Sequence, residues 1–258
     1  MDPLVAQLIA LKAVILGGWF VLLFAAERLA PAAVAAPPAR GWRRLARNGA
    51  LFLLNAGLSP LVVLPVSVFA AAHALDWRPA WWAGVPGLLL DLVILDLWIY
   101  LWHRVNHRVP LLWRFHEVHH LDRHLDTTTA VRFHFGEVLL SAGARGVVIV
   151  LLGMPIASVL VFELVVLLSS LFQHSNLRLP GWLERPLSRV IVTPSHHWVH
   201  HHAVRADTDS NFANTLSVWD RLFGTRSPTA RWPVMPIGTE GRGERNLTGL
   251  LLRPLDPP

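Results

Sequence analysis

Apolar positions run through the first two-thirds of the chain in long unbroken stretches, without the alternation or one-faced striping of water-soluble elements. The stretch Leu4 to Ala26, interrupted by Lys12, is long enough as a helix to cross a hydrocarbon layer of roughly 30 Å. A second stretch runs from Gly49 to about Leu75 and a third from Gly87 to Trp102, the latter shorter than a full crossing. Two more, about Val138 to Leu152 and Ile156 to Phe172, are separated by Gly153, Met154 and Pro155 and predict a hairpin, either tilted across the bilayer or re-entrant. From Gln173 onward polar residues, Pro, Gly and Arg recur throughout, which predicts a cap outside the bilayer. The segment after Pro228 has weak periodicity and is expected to be poorly ordered.

Composition sharpens this picture. With 258 residues, 53% hydrophobic, 16% charged and a mean hydropathy of +0.43, the chain is neither disordered, collagen-like nor an ordinary cytosolic protein. Its net charge of +6 comes from arginine, Lys12 being the one lysine, and reads as membrane-flanking charge and not as a nucleic-acid arm. Arg40, Arg43, Arg44 and Arg47 mark the first loop as cytoplasmic and place the N-terminus outside, and Arg104, Arg108 and Arg114 agree with that orientation. Asp76 to Pro86, with Trp77, Trp81 and Trp82, reads as an outer interfacial belt. The stretch Ala32 to Ala36 looks like a signal-peptidase site, yet Asp2 and the lack of an early Arg leave no basic n-region, so an uncleaved first helix is expected. The expectation is therefore all-α: an integral membrane helical bundle of about four to five membrane helices with a cytoplasmic histidine-rich helical cap. One domain spans 1–258, with N-terminal membrane helices at 1–86, a histidine-rich core at 87–226 and a tail at 227–258.

The absence of cysteine removes disulfides, iron–sulfur clusters, thiolate zinc sites and Cys nucleophiles. Histidine is the resource left: of fourteen, thirteen lie between His103 and His202. His103 and His107 stand four apart, on one helix face. His116, His119 and His120 stand at i, i+3 and i+4, and His197, His200 and His201 repeat that spacing. Eight imidazoles exceed what a single cation holds, so two metals are implied. His174, at the end of the last apolar stretch, makes a ninth ligand, with Glu163 three turns earlier on its helix face.

The neighbours of these rings leave alternatives open. His134 and His196 are each either a further ligand or a cap and hydrogen-bond partner. Asp96, two turns before His103 in an apolar span, is expected to orient a ligand ring through its other nitrogen, whereas Asp91 is placed at the interface. Glu137 pairs along a helix face with His134, or bridges to Arg132 or Arg145. His73 and His124 read as solvated or interfacial. His116-Glu117-Val118-His119-His120 satisfies the HExxH pattern of zinc proteases, but the second HxxHH carries Trp198 at the glutamate position, and a protease has no use for six or more extra ligands. Glu117 and His120 form a single ExxH, too little for a carboxylate-bridged di-iron site.

Three segments, His103-Arg104-Val105-Asn106-His107, His116-Glu117-Val118-His119-His120 and Thr193-Pro194-Ser195-His196-His197-Trp198-Val199-His200-His201, together resemble the fatty acid hydroxylase/sterol desaturase superfamily, and within it the alkylglycerol monooxygenase-like bacterial members. The resemblance covers roughly residues 90 to 226 and includes Arg132-Phe133-His134-Phe135-Gly136-Glu137, Phe172-Gln173-His174-Ser175-Asn176, Asp209-Ser210-Asn211-Phe212 and Trp219-Asp220-Arg221-Leu222-Phe223-Gly224-Thr225. Phe135 departs from it, standing where a proline is common.

The resemblance implies an O2-dependent enzyme with a di-iron centre at the cytoplasmic membrane face, zinc being a possible substitute, and makes 87–226 the catalytic core. Such enzymes hydroxylate, desaturate or cleave alkyl chains and sterol-like lipids. The ligands would be His103, His107, His116, His119, His120, His174, His197, His200 and His201, tuned by Asp96, Glu137 and Glu163, with no catalytic side chain beyond the metal centre. A lipid tail would enter from the bilayer with its head near Arg104, Arg108 or Arg114. Electrons would come from a separate reductase, ferredoxin or cytochrome, and the location would be a bacterial inner membrane. The rival readings are a histidine-rich membrane zinc hydrolase or protease, and a metal transporter.

Overall fold

A computed structural model describes residues 3–33 and 41–256; Asp2, Val34 to Ala36 and Arg40, used above in reading the N-terminus and the basic loop, lie outside them. Helix α1 (Pro3–Leu29) precedes α2 (Trp42–Leu58) and α3 (Leu64–Ala72). The last two are continuous through one π turn, Ser59–Val63, where Pro60 lacks the N–H a regular turn needs. Next come α4 (Gly84–Arg108), α6 (Phe135–Leu151) and α7 (Ile156–His174). Among the described residues four stretches are long and apolar enough to cross a membrane: Ala10–Leu29, Trp42–Ala72, Gly84–Arg108 and Ile156–His174. At 17 residues, α6 reaches only roughly 25 Å and packs against α3.

Two boundaries differ from the sequence pattern. The third span is longer than its apolar stretch, because α4 continues through His103-Arg104-Val105-Asn106-His107 to Arg108. Arg43, Arg44 and Arg47 lie in the first turns of α2 and not in a loop. Among the spans α7 is central, packing against α1, α3 and α4. Ala70, Leu95, Ile149, Val159 and Phe162 interlock as the apolar core of α3, α4, α6 and α7, while Val14, Leu53, Leu61 and Phe69 face outward, as hydrocarbon solvent allows.

The cap consists of short helices: α5 (Pro110–His120), α8 (Gly181–Leu187), α9 (Pro194–His200), α10 (Arg205–Thr208), α11 (Val218–Leu222) and α12 (Leu247–Leu251). Among the described residues there are isolated β-bridges and no strand. Proline makes the decisive corner. Val109 is held extended (φ −92°, ψ 115°) before Pro110, which ends α4 and starts α5 at its N1 position, so the HxxxH of α4 and the HxxHH of α5 fold onto each other. Pro194 starts α9 in the same way.

Arginines expected to flank the membrane are in part interior. Arg44 is 3% exposed and donates to Asp122 (2.7 Å), Asp126 (2.7 Å) and Thr129 (2.8 Å); Arg132 is 0% exposed and reaches Asn48 and Glu244. These ion pairs lock α2 to the loop after α5. The tail is also packed: Leu250 joins Leu51, Val118 and Leu121 in a buried cluster, and Arg253 pairs with Glu117, so the described part of the segment after Pro228 is ordered by burial that its periodicity does not reveal.

Candidate metal centre

Each histidine cluster sits at the end of an element whose start a proline or a helix corner determines, and the nine rings converge. They form two groups. His103, His107, His116, His120 and His200 make one, and His119, His174, His197 and His201 the other; within each group the ligand atoms lie within 4.8 Å of one another. Each HxxHH serves both. Its i and i+4 rings join one group and its i+3 ring the other, so α5 gives two rings to the first group and one to the second, and α9 does the reverse.

Ring orientation is set from outside. His103 Nδ1 donates to the Phe212 carbonyl (2.8 Å), His119 Nδ1 to that of Arg132 (3.2 Å), His174 Nδ1 to that of Ser170 (2.7 Å) and His200 Nδ1 to that of Ser210 (2.6 Å). A carbonyl can only accept, so these rings carry their proton on Nδ1 and keep the Nε2 lone pair for the interior. His116 Nδ1 meets Glu137 Oε1 at 2.7 Å, and His107 Nδ1 faces Asp209 Oδ1 at 3.4 Å. Inside, Nε2 of His116 approaches those of His103 (3.1 Å) and His120 (3.2 Å). Nε2 of His174 approaches those of His119 (2.9 Å) and His197 (3.0 Å), and Nε2 of His197 lies 3.1 Å from that of His201.

This arrangement fits metal ions. The Nε2 atoms of His107 and His200 are buried with no hydrogen-bond partner. Two ligands on a bond of about 2.1 Å stand about 3.0 Å apart at 90° and about 3.4 Å apart at a tetrahedral angle, so nitrogens 2.9 to 3.2 Å apart are close enough to share one cation. Burial first, and then the neighbouring imidazoles, push His119, His120, His197, His200 and His201 well below the ordinary histidine value, so all five are neutral near pH 7, as ligation requires. Aromatic rings close the sides: Phe133 stacks on His119 at 4.4 Å, and Phe212 lies edge-on to His103 at 5.7 Å.

The neighbours weighed from sequence separate. Glu137 touches the His116 ring, while Arg132 and Arg145 pair with Glu244 and Glu163 instead. Asp96 does not reach a ligand ring: it accepts from the backbone N–H groups of Thr215 and Leu216 and from Trp219, fastening the cap to α4. Glu163 is bound by Lys12 and Arg145, both at 2.7 Å, and not by His174. His134 caps α6, accepting from Gly136 N–H, and His196 contacts Asp220; neither belongs to a group. Asp91 is buried, bound by Arg78 and Trp82 of the stretch read as the interfacial belt and by Ser158 of α7. His73 is exposed as expected, but His124 is buried at 5% exposure. Glu117, the glutamate of the HExxH match, is engaged by Arg253 and Arg242 and joins neither group.

Sequence reasoning includes Asp209 to Phe212 in the family resemblance but gives the segment no role, and it serves three rings of the five-histidine group: Asp209 faces His107, the Ser210 carbonyl accepts from His200 and the Phe212 carbonyl from His103. Asn211 between them adopts φ 51°, a left-handed conformation asparagine tolerates. Asp220 holds the segment by accepting from Phe212 N–H (2.8 Å) and Ala213 N–H (3.1 Å).

With that geometry in place, residues 88–225, just over half of the chain, match the sequence profile described as fatty acid hydroxylase. Curated relatives include ornithine lipid hydroxylase OlsE of Rhizobium tropici, 29% identical over 81% of this chain and 63% of its own length. Alkylglycerol monooxygenase of Danio rerio is 29% identical over 64% of this chain and 36% of its own length. Cholesterol 25-hydroxylase-like protein of Danio rerio is 32% identical over 58% and 62%. In each case the chain covers less than two thirds of the relative. No solved structure matches.

Proposed function

This chain belongs to the fatty acid hydroxylase family, and we propose that it is a membrane-bound di-iron oxygenase that oxidises a C–H bond of a lipid or sterol-like substrate with O2 and external electrons. The observation that carries the reading is the pair of adjacent histidine groups with converging Nε2 atoms, in which the Nδ1 atoms of His103, His107, His116, His119, His174 and His200 are engaged from outside. The relatives' names, a lipid hydroxylase, an ether-lipid monooxygenase and a sterol hydroxylase-like protein, share oxidation of a lipid and differ in the lipid, so they support the reaction class and not one substrate.

His103, His107, His116, His120 and His200 would hold one iron, and His119, His174, His197 and His201 the other. When bound, the metals supply the redox chemistry and oxygen activation that no side chain provides for an unactivated C–H bond. The chain's own part is positional. Backbone carbonyls of residues 132, 170, 210 and 212 hold four rings in one tautomer, Glu137 raises the basicity of His116, and Phe133 and Phe212 pack against the rings and keep water off them. The alkyl chain arrives from the bilayer, in which α1, α4 and α7 present apolar faces, and residues 87–226 form the catalytic core. Arg104 and Arg108 in the last turns of α4 and Arg114 in α5 favour a cytoplasmic site under the positive-inside rule, and electrons come from a separate reductase, ferredoxin or cytochrome.

The test is metal analysis of protein purified without added metal, coupled to O2-dependent turnover of a lipid extract in nanodiscs with a chemical reductant. About two irons per chain and a new oxygenated lipid are expected. Zinc alone with hydrolysed product, or metal flux into liposomes without lipid oxidation, would overturn the reading in favour of a hydrolase or a transporter.

A further inference from the structure

Electron transfer weakens steeply with the thickness of protein crossed, so the thinnest wall over the histidine groups is where a donor is best placed. Over the five-histidine group part of that wall is a single indole. Trp113 on α5, partly exposed, has its ring 4.9 Å from that of His107 and 5.4 Å from that of His120. Its other neighbour is Arg205, whose guanidinium carbon stands 4.6 Å over the indole and whose side chain is 44% exposed. Arg205 also donates to the His107 carbonyl (3.2 Å) and to Asp209 (2.7 Å), the carboxylate that faces His107 Nδ1.

Cations without carboxylate partners lie close to this window along the chain. Arg205 is balanced by Asp209, and its backbone N–H meets Glu240. Arg104 and Arg108, one turn apart on α4 beside His103 and His107, and Arg114 beside Trp113, have no carboxylate partner among the described residues; Arg114 meets only the Pro254 carbonyl. Arg108 is exposed, and Arg104 and Arg114 are half-buried.

We infer that Trp113, together with Arg104 and Arg108 at the end of α4 and Arg114 next to it in the chain, is the docking face for an acidic one-electron carrier protein, the indole bridging carrier and metal ligand. The inference rests on the redox reading above and adds where the donor binds. Per encounter the carrier loses one electron and the bound metals gain one; the indole is neither oxidised nor reduced and serves as contact across the gap. These arginines steer the acidic partner, an effect that salt weakens.

The test uses the iron-loaded full chain in neutral-lipid nanodiscs, reduced anaerobically in stopped flow by a reduced plant-type ferredoxin, an acidic carrier, or by dithionite, which needs no docking. For R104E/R108E, ferredoxin-driven reduction is expected to slow at least about tenfold and to lose its salt dependence, with iron content and the dithionite rate unchanged. Trp113→Leu is expected to slow the ferredoxin rate at saturating carrier, whereas Trp113→Phe keeps most of it. Unchanged ferredoxin rates in both sets overturn the docking face. So does a result in which the charge reversals weaken only association with anionic phosphatidylglycerol vesicles, for then the arginines serve the bilayer. Iron reduced by neither reagent overturns the redox reading and this inference with it, whereas reduction by dithionite with no variant effect leaves the former standing and removes the latter.

Discussion

Glu137 and Glu117 show how two buried carboxylates beside the same helix take different work. The Glu137 carboxylate accepts from His116 Nδ1, so it strengthens the lone pair on the other nitrogen. Glu137→Gln keeps an acceptor without the charge and is expected to weaken metal binding at the five-histidine group about 10- to 100-fold, measured by competitive chelation, with little change in unfolding. Glu117, 0% exposed, instead neutralises Arg253, which is 2% exposed. Glu117→Gln leaves that guanidinium with Asp256 at 3.6 Å as its one carboxylate and is expected to cost about 3 kcal/mol in unfolding experiments, while the protein that remains folded binds metal normally. A zinc-protease glutamate would behave in the opposite way, its loss abolishing turnover without destabilising the chain. At the exposed His73, substitution by alanine is expected to change neither property.

At the scale of elements, helical spacing explains why so much of the centre is legible: i, i+3 and i+4 place rings on one side of a short helix whatever surrounds it, and all nine histidines read as ligands enter the two groups. Spacing does not reveal which ring serves which group, since that depends on how α5 and α9 cross. Nor does it reveal Ser210 and Phe212, because they act through backbone carbonyls, which side-chain identity does not encode. Asp96 and Glu163 mislead for the converse reason: helix periodicity aligns them with His103 and His174, but nearer donors, Trp219 for one and Lys12 for the other, take their oxygens. The span lengths are misjudged wherever a helix outlasts its apolar stretch, as α4 does. The segment Asp209 to Phe212 offers a direct test. Asn211 holds φ 51° and also bonds the His196 carbonyl and Ser227 N–H. Asn211→Gly keeps the backbone conformation and loses those bonds, whereas Asn211→Val opposes the conformation itself and is expected to cost about 1–2 kcal/mol more, with a larger fall in metal affinity. Equal losses in the two variants, in unfolding and in chelator competition, would show that the left-handed turn does not aim the carbonyls.

For the whole molecule, the histidine centre makes folding and metal binding interdependent, and pH separates the two. In the metal-free fold His119, His120, His197, His200 and His201 are held neutral, their folded values lying well below that of a free histidine, first because they are buried and then because they crowd one another. Below about pH 6.5 the unfolded chain therefore binds protons that the folded chain refuses, and stability must fall as the pH is lowered further. The buried Asp122 does not confuse the window. Burial alone would raise its carboxyl, but Arg44 and Arg132 overcome that and hold it well below the carboxylate range, so its stabilisation is kept until far more acid conditions. Metal ions that bind only the folded chain add stability in proportion to the logarithm of their concentration over Kd, and they move the acid limb downward. The expected outcome is that metal-free protein in nanodiscs begins to lose thermal stability between about pH 6.5 and 5, while iron-loaded protein holds to a lower pH until protons displace the metal. A stability of the metal-free chain that stays flat through that window would mean that the imidazoles are solvated in solution, and a buried dinuclear centre could not then be assembled from them.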